Sequence, residues 1–218
     1  MKRKLLLLTA IILSLSFFLT GCGQKDIGEA KAKEIGLNYI NKYFNANETE
    51  ATVYRELWEC YPEDTAAFST NGDAEFAYRW VYRVQVPLAA SLMKYEVYFL
   101  GATGDLLYAN QHEMNIILSD EQKERANNLY AEGANWGELH QKASEELYQA
   151  CYDWSVANLD EQRPILLDTN IGKEARGALL RTTGATYYVV TKDGRVYSLS
   201  MEWPSLQVIS LSVINDPN

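Results

Sequence analysis

The strict alternation of side chains in residues 76–86 limits the fold of this chain more than any other segment. Aromatic or apolar residues occupy every second position, with arginine and glutamine among the residues between them. The apolar set is Tyr78, Trp80, Tyr82, Val84 and Val86. A period of two indicates a β-strand with one buried face. We expect the aromatic side chains to pack beneath a helix; the alternative is that they line a ligand groove.

A helix that covers this face is predicted upstream. Residues 27–45 carry apolar side chains at helical spacing, namely Ile27, Ala32, Ile35, Tyr39, Ile40 and Tyr43. Asp26 and Glu29 are spaced as in a capping box, and Asn45 is expected to end the helix. Because this helix has one apolar face, it needs a sheet or another helix as its partner.

Further strands are predicted on both sides of residues 76–86. Residues 53–60 form one, and residues 94–100 and 105–110 form a hairpin whose turn contains Gly101 and Gly104. Pro87 is expected to end the strand before it. This order predicts an α+β fold in which a helix packs on an antiparallel sheet.

The second part of the chain has a similar order. Ser119 and Gln122 are spaced as a capping box, which predicts a helix to about residue 132. A second helix follows residue 137, with an apolar stripe of Leu139, Ala143, Leu147, Ala150, Trp154 and Ala157. Short strands are predicted at residues 164–167 and 178–181, then a three-stranded meander at 186–191, 196–202 and 207–214.

The first part of the chain resembles the PepSY domain family. The likeness spans residues 26–112 and is carried by the order helix, long strand, hairpin and by the hairpin Tyr95-Glu96-Val97-Tyr98-Phe99-Leu100-Gly101-Ala102-Thr103-Gly104-Asp105-Leu106-Leu107. The chain departs from the family at Gly101, where an aspartate is usual, and in the insert between residues 62 and 73. The resemblance implies a noncatalytic envelope module, of a family that accompanies secreted peptidases as a propeptide and also occurs in sensor and germination proteins.

The likeness between the two halves predicts two tandem PepSY-like or cystatin-like units. The first would span residues 22–113 and the second residues 119–218, after a signal peptide at residues 1–21. This comparison places the hairpins containing Gly104 and Gly194 in corresponding positions. The alternative is one α+β domain whose last meander repeats the pattern by chance.

The N-terminus is typical of a bacterial lipoprotein. Three basic residues at positions 2–4 precede an apolar run, as in secretory signal peptides. Leu19-Thr20-Gly21-Cys22 resembles the lipobox, whose cysteine carries diacylglycerol and becomes the mature N-terminus. The alternative is an uncleaved membrane-spanning helix, which needs about 20 apolar residues, and this run is shorter. The resemblance implies a protein held at the extracytoplasmic face of the cell membrane by acyl chains, palmitate among them, on Cys22.

Two other cysteines, Cys60 and Cys151, belong to the mature chain. In an oxidising compartment they can form a disulfide. The alternative is two buried thiols that act as small apolar residues, and the position of Cys151 beside an apolar stripe favours burial. The sequence leaves both alternatives open.

Charge and motifs exclude several classes of function. The formal net charge is −9 and no Lys/Arg cluster follows Lys4, so no nucleic-acid partner is expected. Neither His112 nor His140 has the spacing of a zinc site, and each is expected at the surface or as a cap. Motifs for a catalytic serine, a phosphate loop or a redox cysteine pair are missing. We therefore expect no catalytic residue, metal or cofactor.

Three functions of different classes remain. The first is a noncatalytic protein-binding or peptidase-regulating module, whose envelope partner adds to an exposed strand edge. The second is an anchored protein that binds a small molecule or a cell-wall fragment. The third is an envelope enzyme, which would need a pocket with a titratable group of shifted pKa. The missing motifs favour the first two.

Overall fold

The structure is a computed structural model, and it describes residues 26–60, 77–89, 92–129, 131, 133–159, 165–176 and 180–215. At residues 60, 77, 136, 165–176, 180–182 and 215 the description covers the backbone alone. The predicted signal peptide and the insert after the first strand lie outside these ranges.

Eight strands form one sheet in the order β1-β2-β3-β4-β8-β7-β6-β5, and every neighbouring pair is antiparallel. The strands are β1 (Thr52–Cys60), β2 (Ala77–Ala89), β3 (Leu92–Leu100), β4 (Leu106–Gln111), β5 (Ile165–Arg176), β6 (Leu180–Val190), β7 (Val196–Trp203) and β8 (Gln207–Asn215). Two four-stranded meanders are thus joined through β4 and β8. The join consists of three residue pairs, centred on Ala109 and Leu211.

Three α-helices in the described ranges pack on one side of this sheet, which we call the near face. They are α1 (Glu29–Phe44), α2 (Asp120–Leu129) and α3 (Trp136–Asn158), and a 3-10 turn (Glu113–Asn115) precedes α2. α1 lies on β1 to β4 and β8, whereas α3 lies on β5 to β7. The predicted α+β fold, with helices packed on an antiparallel sheet, is confirmed.

One core runs under all three helices. Ile40 of α1, Val84 and Phe99 of the first meander, and Leu147 and Leu199 of the second half belong to the same buried cluster. The rings of Tyr43 and Trp154 meet between α1 and α3, with centroids 5.7 Å apart. Burying this continuous apolar layer is the main stabilising term of such a fold.

The start of α1 differs from the predicted capping box. Gly28 is the N-cap residue, with φ of 79°, and no side chain caps the helix. The carboxylate of Asp26 instead accepts a hydrogen bond from the Gly28 N–H, and Arg55 and Tyr82 hold it outside the helix. The helix ends as predicted, because Asn45 adopts the left-handed conformation typical of a helix end.

The capping box before α2 is confirmed. The Ser119 N–H donates to Oε1 of Gln122 at 2.9 Å, and the Gln122 N–H donates to Oγ of Ser119 at 3.2 Å. In α3 the buried stripe is rotated from the predicted one: Ala143, Leu147, Cys151 and Ser155 are fully buried. Ala157, predicted to be buried, is exposed.

Two strand predictions need correction. Pro87 does not end β2, because a register shift beside it lets the strand continue to Ala89. The three short segments predicted around residues 164–191 belong to one long hairpin of β5 and β6, so the final meander has four strands. In addition, the Gly104 turn joins β3 to β4, whereas the Gly194 turn joins β6 to β7. These two turns therefore occupy different places in the two meanders; the division into two units stays a prediction.

Candidate partner-binding edge

The strand β1 lies at an edge of the sheet and exposes large apolar side chains on both faces. β2 is its one strand neighbour within the described ranges. Leu57 is 52% exposed on the near face, while Tyr54 (43%) and Trp58 (36%) are exposed on the far face, opposite the helices. The backbone groups along the outer side of an edge strand can pair with another chain. The exposed side chains supply apolar contacts beside them.

A polar cluster holds the segment that precedes α1 against the β1 edge. Oδ2 of Asp26 lies 2.5 Å from a guanidinium nitrogen of Arg55 in β1, and the Tyr82 hydroxyl of β2 donates to Oδ1 of Asp26 at 2.7 Å. The Arg55 guanidinium also stacks 3.7 Å from the ring centroid of Trp80. The carboxylate of Asp26 thereby connects the segment before α1 to β1 and β2.

The cluster changes two pKa values. Partial desolvation raises the pKa of Asp26, but the Gly28 N–H, the Tyr82 hydroxyl and Arg55 outweigh it, so the net pKa lies below its ordinary value. Burial raises the pKa of Tyr82 to about 12, and the hydrogen bond to Asp26 contributes in the same direction. Both shifts favour the state in which Asp26 is ionised and Tyr82 is protonated.

Side chains on the far face organise the rest of the edge. Arg83 forms an ion pair of 2.8 Å with Glu56 and lies 4.7 Å from the ring centroid of Tyr54. Trp58 reaches across β2 to the ring of Tyr98, with centroids 5.4 Å apart. Partly buried ion pairs and ring contacts of this kind reduce the side-chain freedom that a partner would have to restrict on binding.

The predicted site residues lie apart from one another. Cys22 is outside the described residues, so its lipidation stays a prediction. Cys60 ends β1 at the sheet edge, and its side chain is not described. Cys151 is a buried free thiol on α3.

The disulfide between Cys60 and Cys151 finds no support in this arrangement. Cys151 lies on the helix that covers β5 to β7, five or more strands from β1, whereas disulfide-linked Cα atoms lie within about 7 Å. Burial raises the pKa of the Cys151 thiol to about 12, while its contact with Ser155 acts in the opposite direction. Such a thiol is unreactive, as the alternative interpretation of a small apolar residue requires.

The histidines behave as capping or partly buried residues. Nδ1 of His112 accepts the N–H of Met114 at 3.2 Å and so caps the 3-10 turn, as predicted. His140 is partly buried on α3. Among the described residues no group of three or more His, Cys, Asp and Glu side chains is arranged to hold a metal ion. None of the helices in these ranges is long and apolar enough to cross a membrane.

Sequence reasoning missed the residues that make β1 distinctive. A half-buried strand normally alternates apolar and polar side chains, but β1 carries Tyr54 and Trp58 on one face and Leu57 on the other. An apolar residue on each face of a strand is the available signal. It does not say whether that strand is central or at an edge, because edge position depends on pairing with distant residues.

Comparisons with known proteins yield one structural likeness. No protein-family model matches the chain, and no curated protein matches it. Among solved structures, the chain is similar to the Bacillus megaterium YpeB C-terminal domain, with 7% sequence identity and coverage of 88% of this chain and 100% of that one. The TM-score is 0.24, and a likeness at that level carries no argument about function. The α+β fold therefore rests on the strand pairing and helix packing described above.

Proposed function

We propose that this protein is an extracytoplasmic lipoprotein, anchored through Cys22, that acts as a noncatalytic protein-binding module. The observation that carries the proposal is the β1 edge. In this role an extended segment of an envelope protein, a secreted peptidase among the candidates, adds to β1 as a further strand. Main-chain hydrogen bonds would supply affinity, and contacts with Tyr54, Leu57 and Trp58 would supply selectivity.

The proposed anchor would hold this edge near the bilayer. Asp26 follows Cys22 by four positions, which is at most about 14 Å of extended chain. Asp26 is bonded to β1 and β2, and the Ile27 N–H donates to the Gly101 carbonyl oxygen at 3.0 Å. A partner bound at β1 would therefore be another protein of the membrane surface or one that passes close to it.

A site-specific crosslinking experiment tests the edge. A photoreactive residue replaces Leu57 in one form of the full chain and Ile117 in another, since both side chains are apolar and exposed but Ile117 lies in the linker before α2. Crosslinking in the native envelope is expected from position 57 and not from position 117. Mass spectrometry identifies the captured protein and the residues joined.

A charge substitution then tests the binding mode. Leu57→Lys is expected to abolish the crosslink formed from a photoreactive group at Tyr54, because a lysine on an edge strand opposes strand addition. Ile117→Lys is the matched control and should leave it intact. Slower hydrogen exchange of β1 amides in the purified complex would support strand addition. If the captured protein contacts neither face of β1, the proposal is wrong.

The anchor has its own test. Cys22→Ala is expected to abolish labelling with a palmitate analogue and to move the protein out of the membrane fraction. Cys60→Ala is the control and should retain both. A Cys22→Ala protein that stays in the membrane fraction unlabelled would contradict anchoring by lipid and would leave the β1 result unaffected.

A further inference from the structure

On the far face of the sheet, residues paired with one another across seven strands have polar side chains, and the backbone register places Asn170 of β5 at the same level. The register pairs Thr52 with Gln85, then continues through each neighbouring strand to the last. The complete level is Thr52, Gln85, Glu96, Asn110, Ser210, Ser200, Thr186 and Asn170. We call this set the polar row. With strands spaced by about 4.8 Å, it extends over about 34 Å.

A second level on the same face is rich in tyrosine. It consists of Tyr54, Arg83, Tyr98, Tyr108, Ser212, Ser198 and Tyr188. We call this set the tyrosine row. The level between the two rows points to the helices instead, and its members are Val53, Val84, Val97, Ala109, Leu211, Leu199 and Tyr187. The alternation of strands therefore brings both rows to the far face together.

The centre of this face has hydrogen-bonding side chains without a partner among the residues that the structure describes. No side-chain hydrogen bond is made inside the described ranges by Asn110, Ser198, Ser210 or Ser212. All four are partly buried. Hydroxyl and amide groups in such positions bond to water or to a ligand. A ligand lying along the polar row would meet them one strand after another.

The charged side chains within the two rows, Glu96 and Arg83, already have partners. Arg83 is paired with Glu56 at 2.8 Å. Glu96 accepts hydrogen bonds from the Gln85 amide and, at 3.3 Å, from the Tyr98 hydroxyl. Because these charges are paired within the protein, the far face is poorly suited to bind a charged ligand. A polyanion is further disfavoured by the formal net charge of −9.

The tyrosines supply flat apolar surface. The rings of Tyr98 and Tyr108 lie side by side across β3 and β4, with centroids 6.1 Å apart, and Tyr188 is 41% exposed on β6. Desolvation raises the pKa of both Tyr98 and Tyr108, in keeping with a partly dry surface. Aromatic rings next to neutral hydrogen-bonding groups suit a ligand that has flat apolar faces and hydroxylated edges.

We propose that the far face binds a neutral, linear oligosaccharide along the polar row, with sugar rings stacked on the tyrosine row. A second sheet is the less suitable occupant, because sheet-on-sheet packing buries apolar side chains, whereas seven described members of the polar row are hydrophilic. This site shares Tyr54 with the partner-binding edge, whereas Leu57 of that edge lies on the near face and Tyr108 and Ser210 lie well away from β1.

The test is calorimetric titration of the full chain, in mild detergent, with chitohexaose. Saturable binding is expected, and cellohexaose in a parallel titration shows whether the ligand's acetamido groups contribute. Tyr108→Ala is expected to weaken binding by roughly tenfold or more through loss of a stacking surface. Tyr148→Ala is the matched control, because Tyr148 is an exposed tyrosine on α3 and should leave affinity unchanged.

A second variant keeps the test decisive if Tyr108→Ala unfolds. Ser210→Val removes one hydroxyl from the polar row and inserts a residue that favours strands, so folding should be retained. It is expected to weaken binding several-fold, and Asn128→Ala on the exposed side of α2 should have no effect. The proposal is overturned if neither glycan binds the folded protein, or if affinity is equal in the wild type and both far-face variants. Neither result bears on crosslinking at position 57.

Discussion

Gly36 in the middle of α1 provides a sensitive test of how closely this helix approaches the sheet. A Cβ atom added there would lie 2.5 Å from Cβ and Cγ2 of Val84 and 2.6 Å from its Cγ1. Ordinary contacts between carbon atoms are about 3.5–4.0 Å. Gly36→Ala therefore requires α1 and β2 to separate by about 1 Å, because Val84 Cβ is fixed to the strand backbone and cannot rotate away.

Two opposing terms set the change in the free energy of unfolding caused by Gly36→Ala. Alanine is favoured over glycine inside a helix by about 1 kcal/mol. Overpacking a closely packed core typically costs about 1–3 kcal/mol. The short contacts to an immobile Cβ place Gly36→Ala at the upper end of that range, so we expect a net loss of about 2 kcal/mol in the free energy of unfolding. For a chain of this size that lowers Tm by about 4–8 °C.

Thermal unfolding followed by circular dichroism measures this change, and Gly137→Ala is its matched control. Gly137 lies in the first turn of α3, where the nearest atom to an added Cβ is Oδ1 of Asn135 at 4.0 Å. The same substitution should therefore raise stability slightly there, by at most about 1 kcal/mol. If Gly36→Ala raises Tm as Gly137→Ala does, α1 does not pack on Val84 as described, and the reasoning is wrong.

Three further predictions concern buried or bonded polar groups. Tyr82→Phe should lower the free energy of unfolding by about 1–2 kcal/mol, because it removes a hydrogen bond to an ionised carboxylate. Tyr187→Phe should be neutral or stabilising, because the buried Tyr187 hydroxyl has no partner in the described structure. Equal losses of stability for the two variants in urea unfolding would contradict this. The Cys151 thiol should resist iodoacetamide at pH 8 in the folded protein and react only in denaturant, and rapid labelling of the folded form would exclude the burial described here. Because the folded pKa of Asp26 is lowered, its stabilising contribution is present above pH of about 4 and is lost as the pH falls through the folded pKa. Asp26→Asn should therefore reduce Tm at pH 7 and have a diminishing effect as the pH falls below about 4; a pH-independent difference would refute it.

Features that depend on neighbouring residues could be predicted from the sequence. The Ser119–Gln122 capping box and the end of α1 at Asn45 are confirmed because each depends on interactions within one helical turn. The strand containing Tyr82 and Val84 is confirmed, but its predicted single buried face is not, because Val81 and Gln85 on the opposite face are buried too. In each case local propensity and the final fold agree.

Features that depend on distant partners could not be predicted. Asp26 has the spacing of a capping residue, but Arg55 and Tyr82 bind its carboxylate instead. The edge position of β1 depends on the order of all eight strands. The two rows of the far face become visible only when seven strand registers are known, since the contributing residues are scattered over the whole chain.

The position of β8 has a consequence for how the protein is made. β8 follows all the other described strands in sequence, yet it lies in the middle of the sheet, between β4 and β7. During synthesis from the N-terminus, the first meander can form while β4 still has a free edge, which is the kind of edge that invites aggregation. Only the last described strand closes that edge, so loss of β8 would leave two half-sheets, each with an unprotected strand where the centre should be.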